Sequence, residues 1–83
     1  MNRTITVYTT ASCGYCRMLK KYLDDFNIKY VEKRVDTDRE AAQEMVSKSG
    51  QMGVPFTVID NGKGQEKAIL GFDINSLQQA LLS

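Results

Sequence analysis

The stretch Thr9-Thr10-Ala11-Ser12-Cys13-Gly14-Tyr15-Cys16-Arg17-Met18-Leu19-Lys20-Lys21 carries the only two cysteines of the chain, three residues apart. It follows a short β-rich run and opens a segment whose apolar residues recur at helical spacing. A sulfur at a helix start faces unpaired backbone N–H groups and the positive end of the helix dipole. Both favour the thiolate, which is the nucleophilic form of cysteine. Residues three apart lie on one helix face with Cβ atoms about 5–6 Å apart, whereas a disulfide needs about 4 Å. A small adjustment of the first turn therefore closes a bridge without moving the fold. Cys13, at the very start, is expected to be the more exposed and the more acidic. Cys16, one turn in, is expected to be more buried and to keep a higher pKa. Cys13 then attacks a disulfide and Cys16 resolves the mixed disulfide that results.

Other uses of a cysteine pair are less well served by this chain. A structural zinc ion takes four ligands. With no His and no third Cys, only a dimer or mixed ligation with Asp or Glu would complete the set. A bridging iron–sulfur cluster at a dimer interface is the other metal reading. Inert packing is the third alternative, since cysteine is often buried. A strand-to-helix corner is not where inert cysteines are expected, and Cys-x-x-Cys beside a βαβ pattern reads as a thioredoxin-like redox motif.

Residues 1–83 are expected to form one domain with a limited core. Apolar residues make up 42% of the chain, but no run approaches the roughly 18–20 needed to cross a bilayer. Met1-Asn2-Arg3-Thr4 lacks the apolar core of a signal peptide. The expected setting is the cytoplasm, away from membranes, where a lone disulfide is more often catalytic than structural. Eleven basic and 10 acidic side chains leave a net charge of +1, without the basic excess of a nucleic-acid partner. Lys20–Lys21 and Lys33–Arg34 read as solvated surface. The absence of His removes the Cys–His and Ser–His routes to hydrolysis.

Thr4 to Tyr8 alternates and reads as a strand. Ser12 is the expected N-cap of the first helix. Tyr15, Met18, Leu19, Tyr22, Leu23 and Phe26 form its apolar side, and Asn27 its stop. Ile28 to Val35 reads as a second strand with Ile28, Tyr30, Val31 and Val35 inward. Thr37 and Glu40 fit a capping box for a helix over Arg39 to Ser49, with Ala42, Met45 and Val46 inward and Gly50 at its end. Val54 to Asp60 reads as a third strand, with Pro55 tolerated near its start. Asn61-Gly62-Lys63-Gly64 is a hairpin signal, Glu66 to Leu70 the returning strand. Asp73 caps a last helix with Leu77, Ala80 and Leu81 inward. The order βαβαββα implies an α/β fold. A right-handed parallel βαβ unit comes first, and the hairpin adds two strands antiparallel to it. The result is a four-stranded mixed sheet with helices on both faces.

Over essentially the whole chain, these residues resemble the glutaredoxins of the thioredoxin superfamily. The resemblance rests on Tyr8-Thr9, Cys13-Gly14-Tyr15-Cys16, Ser49-Gly50, Val54-Pro55 and Gly71-Phe72-Asp73. It implies a thioredoxin-like fold and a thiol-disulfide oxidoreductase that holds no bound cofactor and works as a monomer. Its substrates would be protein disulfides or mixed disulfides, with glutathione or another low-molecular-weight thiol as co-substrate. It also implies that the Val54–Pro55 bond is cis and opposes the cysteine pair; the bare sequence favours trans. By the same resemblance Tyr15 walls the thiol site, and the Val54 backbone pairs with an extended substrate as an added strand. Asp73 would hold the amino group of a γ-glutamyl moiety, beside Gly71 and Phe72 on the thiol-binding side. Arg17 and Gln51 are candidates for a ligand carboxylate.

The chain departs from glutathione-using members at four places. Gly14 stands where they have proline and Thr10 where they have a carboxylate-binding lysine. Gly53 replaces the threonine of Thr-Val-Pro, and Leu70-Gly71 replaces Gly-Gly. Its Tyr-Thr-Thr and Cys-Gly-Tyr-Cys pattern is also similar to mycoredoxins. The Gly71-Phe72 corner is similar to the redoxins that serve ribonucleotide reductase and are recharged by thioredoxin reductase.

Overall fold

The computed structural model describes residues 3–82. Local signals set the helix ends. The first helix, α1 (Gly14–Asp25), ends where Asn27 turns to φ 56°. The Ile28 N–H then reaches the Leu23 carbonyl at 2.8 Å, and the Asn27 N–H reaches that of Asp24 at 3.1 Å. This pattern is a Schellman closure, with Asn27 in the left-handed place that glycine usually takes. The second helix, α2 (Arg39–Ser49), ends on Gly50 at φ 75°, as its sequence predicts. The third, α3 (Ile74–Leu82), starts on Asp73, whose carboxylate accepts the Ser76 N–H at 3.1 Å.

Two of the expected caps shift by one residue. Cys13, not Ser12, is the N-cap of α1, and Asp38, not Thr37, that of α2. A cap side chain must reach the N–H of the second or third helical residue. Cys13 and Asp38 stand at the distance that reaches Cys16 and Ala41.

The strands are β1 (Thr4–Thr9), β2 (Val31–Arg34), β3 (Phe56–Asp60) and β4 (Glu66–Leu70). They form one mixed sheet in the order β2-β1-β3-β4. β1 pairs with β2 in parallel and with β3 antiparallel, and β3 pairs antiparallel with β4. Only β3 therefore opposes β1. β4, expected antiparallel to the first pair, runs with it because a hairpin reverses the chain once more. β2 is also shorter than Ile28–Val35, and Val31 on this edge strand is half exposed.

Alternation sorts the side chains onto two faces. Ile5, Val7, Ile59 and Ile69 meet Leu19 and Leu23 of α1 and Leu77 and Ala80 of α3. Tyr8, Phe56 and Val58 meet Met45 of α2 on the other face. Helices thus cover both faces, as expected. Fully burying a side chain such as Leu23 is worth about 1.5–3 kcal/mol. The inward face of α1 is narrower than its apolar spacing suggested. Cys16, Leu19 and Leu23 are buried, whereas Tyr15, Met18 and Phe26 lie mainly in solvent. On α2, Ala41 rather than Ala42 or Val46 joins Met45 inside. The predicted basic pairs lie at the surface but are partnered: Lys20 with Glu32, Lys21 with Asp25, Lys33 with Glu44 and Arg34 with Asp36.

Candidate functional site

Pairing of Tyr8 with Phe56, and of Phe56 with Leu70, brings three chain segments to one end of the sheet. They are the Thr10–Cys13 loop after β1, the Gly53–Pro55 segment before β3, and the Gly71–Asp73 corner after β4. Residues from the two ends of the sequence therefore gather at one site.

Cys13 and Cys16 are joined by a disulfide with Cα atoms 5.2 Å apart. The Cys13 Sγ accepts the Cys16 N–H at 3.0 Å, so the sulfur itself is the helix cap. Cys13 is half-buried, whereas Cys16 is 1% exposed. The first turn of α1 carries no acidic residue. Arg17 folds back over this helix start. Its Nη1 donates to the Ala11 carbonyl at 3.3 Å, and its Nη2 is 3.8 Å from where a Cβ on Gly14 would stand. A guanidinium and a helix N-terminus both stabilise an anion there.

The loop that presents Cys13 is held by residues the sequence reading passed over. Asp36 accepts the Ala11 N–H at 3.0 Å and takes both arms of Arg34 at 2.7 and 2.8 Å. Arg34 first, and the Ala11 N–H second, hold the Asp36 carboxyl well below the usual carboxylate range. The Arg34-x-Asp36 spacing was the available signal. Below the loop, the buried Thr9 hydroxyl donates to Glu32 at 2.6 Å, and Lys20 of α1 binds the same oxygen at 2.8 Å. Lys20, then Thr9, lower the Glu32 pKa. On the opposite face the Tyr8 hydroxyl donates to Glu44, which also pairs with Lys33 at 2.6 Å. Burial, then Glu44, pushes the Tyr8 phenol up.

The Val54–Pro55 bond is cis. Pro55 is buried just before β3, one residue outside the strand it was expected to begin. Its carbonyl accepts the Gly71 N–H at 2.9 Å, with Gly71 at φ 77°. This bond ties the proline to the Gly71-Phe72-Asp73 corner. Tyr15 is 63% exposed and stacks on Phe72, centroids 6.3 Å apart. Val54 is half-buried against the α2-side cluster. Asp73 is exposed, and both its oxygens serve Ser76, one its N–H and one its hydroxyl at 2.8 Å. These bonds lower its pKa. The Gln51 amide lies over Gly53, 3.3 Å from where a Cβ there would stand. A cavity of about 330 Å³ lined by Arg3, Asn61 and Lys63 lies at the other end of the sheet, away from the cysteines. Among the described residues no group of three or more His, Cys, Asp or Glu could hold a metal ion. No helix among them is long and apolar enough to cross a membrane.

The arrangement is one for thiol-disulfide exchange: a half-exposed sulfur in an anion-favouring slot, and a buried sulfur one turn behind. The chain is similar to proteins named as glutaredoxins or as glutaredoxin-like or thioredoxin-like. A glutaredoxin of Neisseria meningitidis is 38% identical over 79 residues, spanning 93% of this chain and 87% of the relative. A glutaredoxin-like 8.6 kDa protein in the rubredoxin operon of Clostridium pasteurianum is 38% identical over 69 residues, 83% of this chain and 85% of the relative. Among solved structures, the thioredoxin-like protein BC3987 superposes with a TM-score of 0.80 at 32% identity, over 92% of this chain and 97% of that one. The glutaredoxin family model matches residues 5–63. With this match, the cysteine pair at the head of α1 and the four-stranded sheet, the chain belongs to the glutaredoxin family of thiol-disulfide oxidoreductases.

Proposed function

We propose that residues 1–83 act as one monomeric dithiol oxidoreductase that reduces protein disulfides or mixed disulfides in the cytoplasm. The observation that carries this reading is the Cys13 sulfur at the N-cap of α1, with the Cys16 N–H donated to it and Cys16 buried behind. In the reduced protein the Cys13 thiolate attacks one sulfur of the substrate disulfide, and the other leaves as a thiolate. Cys16 then attacks Cys13 Sγ and releases the second substrate thiol. Two electrons and two protons pass to the substrate, and the Cys13–Cys16 bond forms. The substrate chain lies extended along the Val54 backbone at Pro55, against the Tyr15–Phe72 pair and beside Gly71. Arg17, Gln51 and Asp73 are the groups toward a low-molecular-weight thiol.

The reductant follows from charge. Thr10 offers no cation, so a glutathione carboxylate lacks one charge-assisted bond of about 1.5–3 kcal/mol. That is roughly tenfold to a hundredfold in affinity. Thioredoxin reductase is therefore the favoured electron donor and glutathione the weaker one; ribonucleotide reductase is a protein substrate of the fitting class. No observation favours the metal-binding alternative.

The test is NADPH-coupled disulfide reduction, driven either by glutathione with glutathione reductase or by thioredoxin reductase. Cys13→Ser is expected to abolish turnover with both. Cys16→Ser is expected to stop reduction of protein disulfides and to leave activity on small mixed disulfides. Thr10→Lys should raise turnover with glutathione by tenfold or more. Full turnover by Cys13→Ser would overturn the assignment of the nucleophile. Wild-type turnover with glutathione that equals thioredoxin reductase and is unmoved by Thr10→Lys would overturn the choice of reductant.

A further inference from the structure

Two threonines are buried on the sheet face that α1 covers. Thr9 is fully buried, and its hydroxyl has a partner in Glu32 at 2.6 Å. Thr57 is 1% exposed, and its Oγ1 is the one buried side-chain polar atom among the described residues without a hydrogen-bond partner. A buried hydroxyl without a partner carries an uncompensated desolvation cost, and native structures hold few such groups. An apolar β-branched residue such as valine would fill this space without that cost. The hydroxyl therefore calls for a state of the protein in which it is used.

Register places it. Thr57 pairs directly with Val7 and with Ile69, both members of the core cluster that Leu19 and Leu23 of α1 join. Residues directly opposite in an antiparallel pair share a face. Thr57 therefore faces the layer that α1 shares with α3. It is the second residue of β3, at the end of the sheet where β1 finishes and where the Cys13 loop leaves. Cys16 lies in the first turn of α1, on the same buried stripe as Leu19 and Leu23. The unpartnered hydroxyl and the buried sulfur thus occupy the same end of the same interlayer. In the disulfide, Cys16 Sγ is bonded to Cys13 and is a weak acceptor. Opening the bridge turns it into a thiol or thiolate that must be held in an apolar interior, where an uncompensated charge is costly.

We infer that the Thr57 hydroxyl is the hydrogen-bond donor that receives the Cys16 sulfur when the disulfide opens. Thr57 is then a residue of the resolving step. It holds Cys16 as a nucleophile while Cys16 Sγ attacks Cys13 Sγ, the Cys13–substrate bond breaks, and the departing substrate thiolate takes up the proton that Cys16 has lost. The same hydroxyl biases the redox equilibrium. It lacks a partner in the oxidised form and has one in the reduced form, so it favours the dithiol. This inference rests on Cys16 being the resolving cysteine, and its test separates the two ideas.

The experiment measures two quantities on the full chain: the dithiol–disulfide equilibrium in a redox buffer, and the rate of release from a preformed Cys13 mixed disulfide. Thr57→Val removes the hydroxyl and keeps the shape. It is expected to shift the equilibrium toward the disulfide by about tenfold, which is ~30 mV more reducing for a two-electron couple, and to slow release by a similar factor. Thr57→Ser restores the hydroxyl and should return both values to within about twofold of wild type, even if its smaller side chain lowers stability. A merely structural role for Thr57 predicts the opposite grouping, with Thr57→Val at wild-type values and Thr57→Ser displaced. That result, or no shift in either variant, would overturn the inference. If Thr57→Val does not fold, Thr57→Ser against Thr57→Ala gives the same comparison. If Cys16→Ser releases the mixed disulfide as fast as wild type, the resolving role itself is wrong, whatever Thr57 does.

Discussion

The start of α1 and the start of α3 are built alike and behave differently. At each, a side chain accepts the N–H three residues on: Cys13 from Cys16 at 3.0 Å, and Asp73 from Ser76 at 3.1 Å. The α3 cap is a carboxylate, a full charge matched to the helix dipole and a strong acceptor. It also takes the Ser76 hydroxyl, so both of its oxygens already have partners within the helix start. The α1 cap is a sulfur, a weak acceptor until it ionises. No acid stands in its first turn, and the Arg17 guanidinium lies across it. The same local geometry that closes α3 therefore leaves α1 with a slot that only an anionic Cys13 fills well. A helix N-terminus becomes a reactive site here because its cap is left short of charge.

Exchanging the caps is the strongest way to break this comparison. Cys13→Asp is expected to lose all disulfide-reducing turnover while holding α1 at least as firmly as the reduced wild type. Cys13→Ala should lose turnover as well and fall about 1 kcal/mol below Cys13→Asp in stability, the usual worth of an N-cap. Urea unfolding with the wild type kept reduced checks this. Equal stability of the two variants would show that the slot does not favour an anion.

A smaller effect is expected where the cap is purely structural. Asp38 caps α2 through the Ala41 N–H at 3.2 Å, on the far face of the sheet from α1. Asp38→Ala should cost about 1 kcal/mol and leave the turnover per folded molecule unchanged. A large loss of turnover at matched folded fraction would mean that α2 reaches the site.

The smallest effect is in acid. Bonds from the Ser76 N–H and hydroxyl hold the Asp73 carboxyl below its ordinary value. A carboxyl depressed by folding adds stability above its unfolded pKa, near 4, and loses it as pH falls through the folded value. The oxidised Cys13 cap carries no titrating proton. Asp73→Asn should therefore flatten the fall in stability below about pH 4, slightly, because Asp73 is exposed. Thermal unfolding of the oxidised protein between pH 5 and pH 2 would read it. An unchanged slope would remove Asp73 from the acid response.

Residues that act on near neighbours were legible in the chain itself. The Cys-x-x-Cys spacing, the Asp73 cap, the Gly50 and Asn27 endings and the Asn61–Gly64 turn each depend on a few consecutive residues and on which of them tolerate positive φ. Hydrophobic periodicity, together with these turn and cap signals, located all seven elements for the same reason. What it could not resolve was one residue from the next. Ser12 and Thr37 are as good caps in composition as Cys13 and Asp38, and only the helix phase chooses among them.

The rest was decided by packing across long separations. Cis and trans X–Pro bonds differ by only about 0.5–1 kcal/mol in an open chain, so surroundings select the isomer of Val54–Pro55. The Pro55–Gly71 bond, the Tyr15–Phe72 stack and the hold of Asp36 on Ala11 join segments with no local relation. The direction of β4 follows from its pairing with β3. Thr57 is the clearest case. Its run, Phe56-Thr57-Val58-Ile59, reads as an apolar strand with one threonine in it. Only the register of β1 with β3, and the helix laid over that face, bury its hydroxyl without a partner at the cysteine end of the sheet. Alternation says that such a residue takes one face or the other; what covers that face is a property of the whole fold.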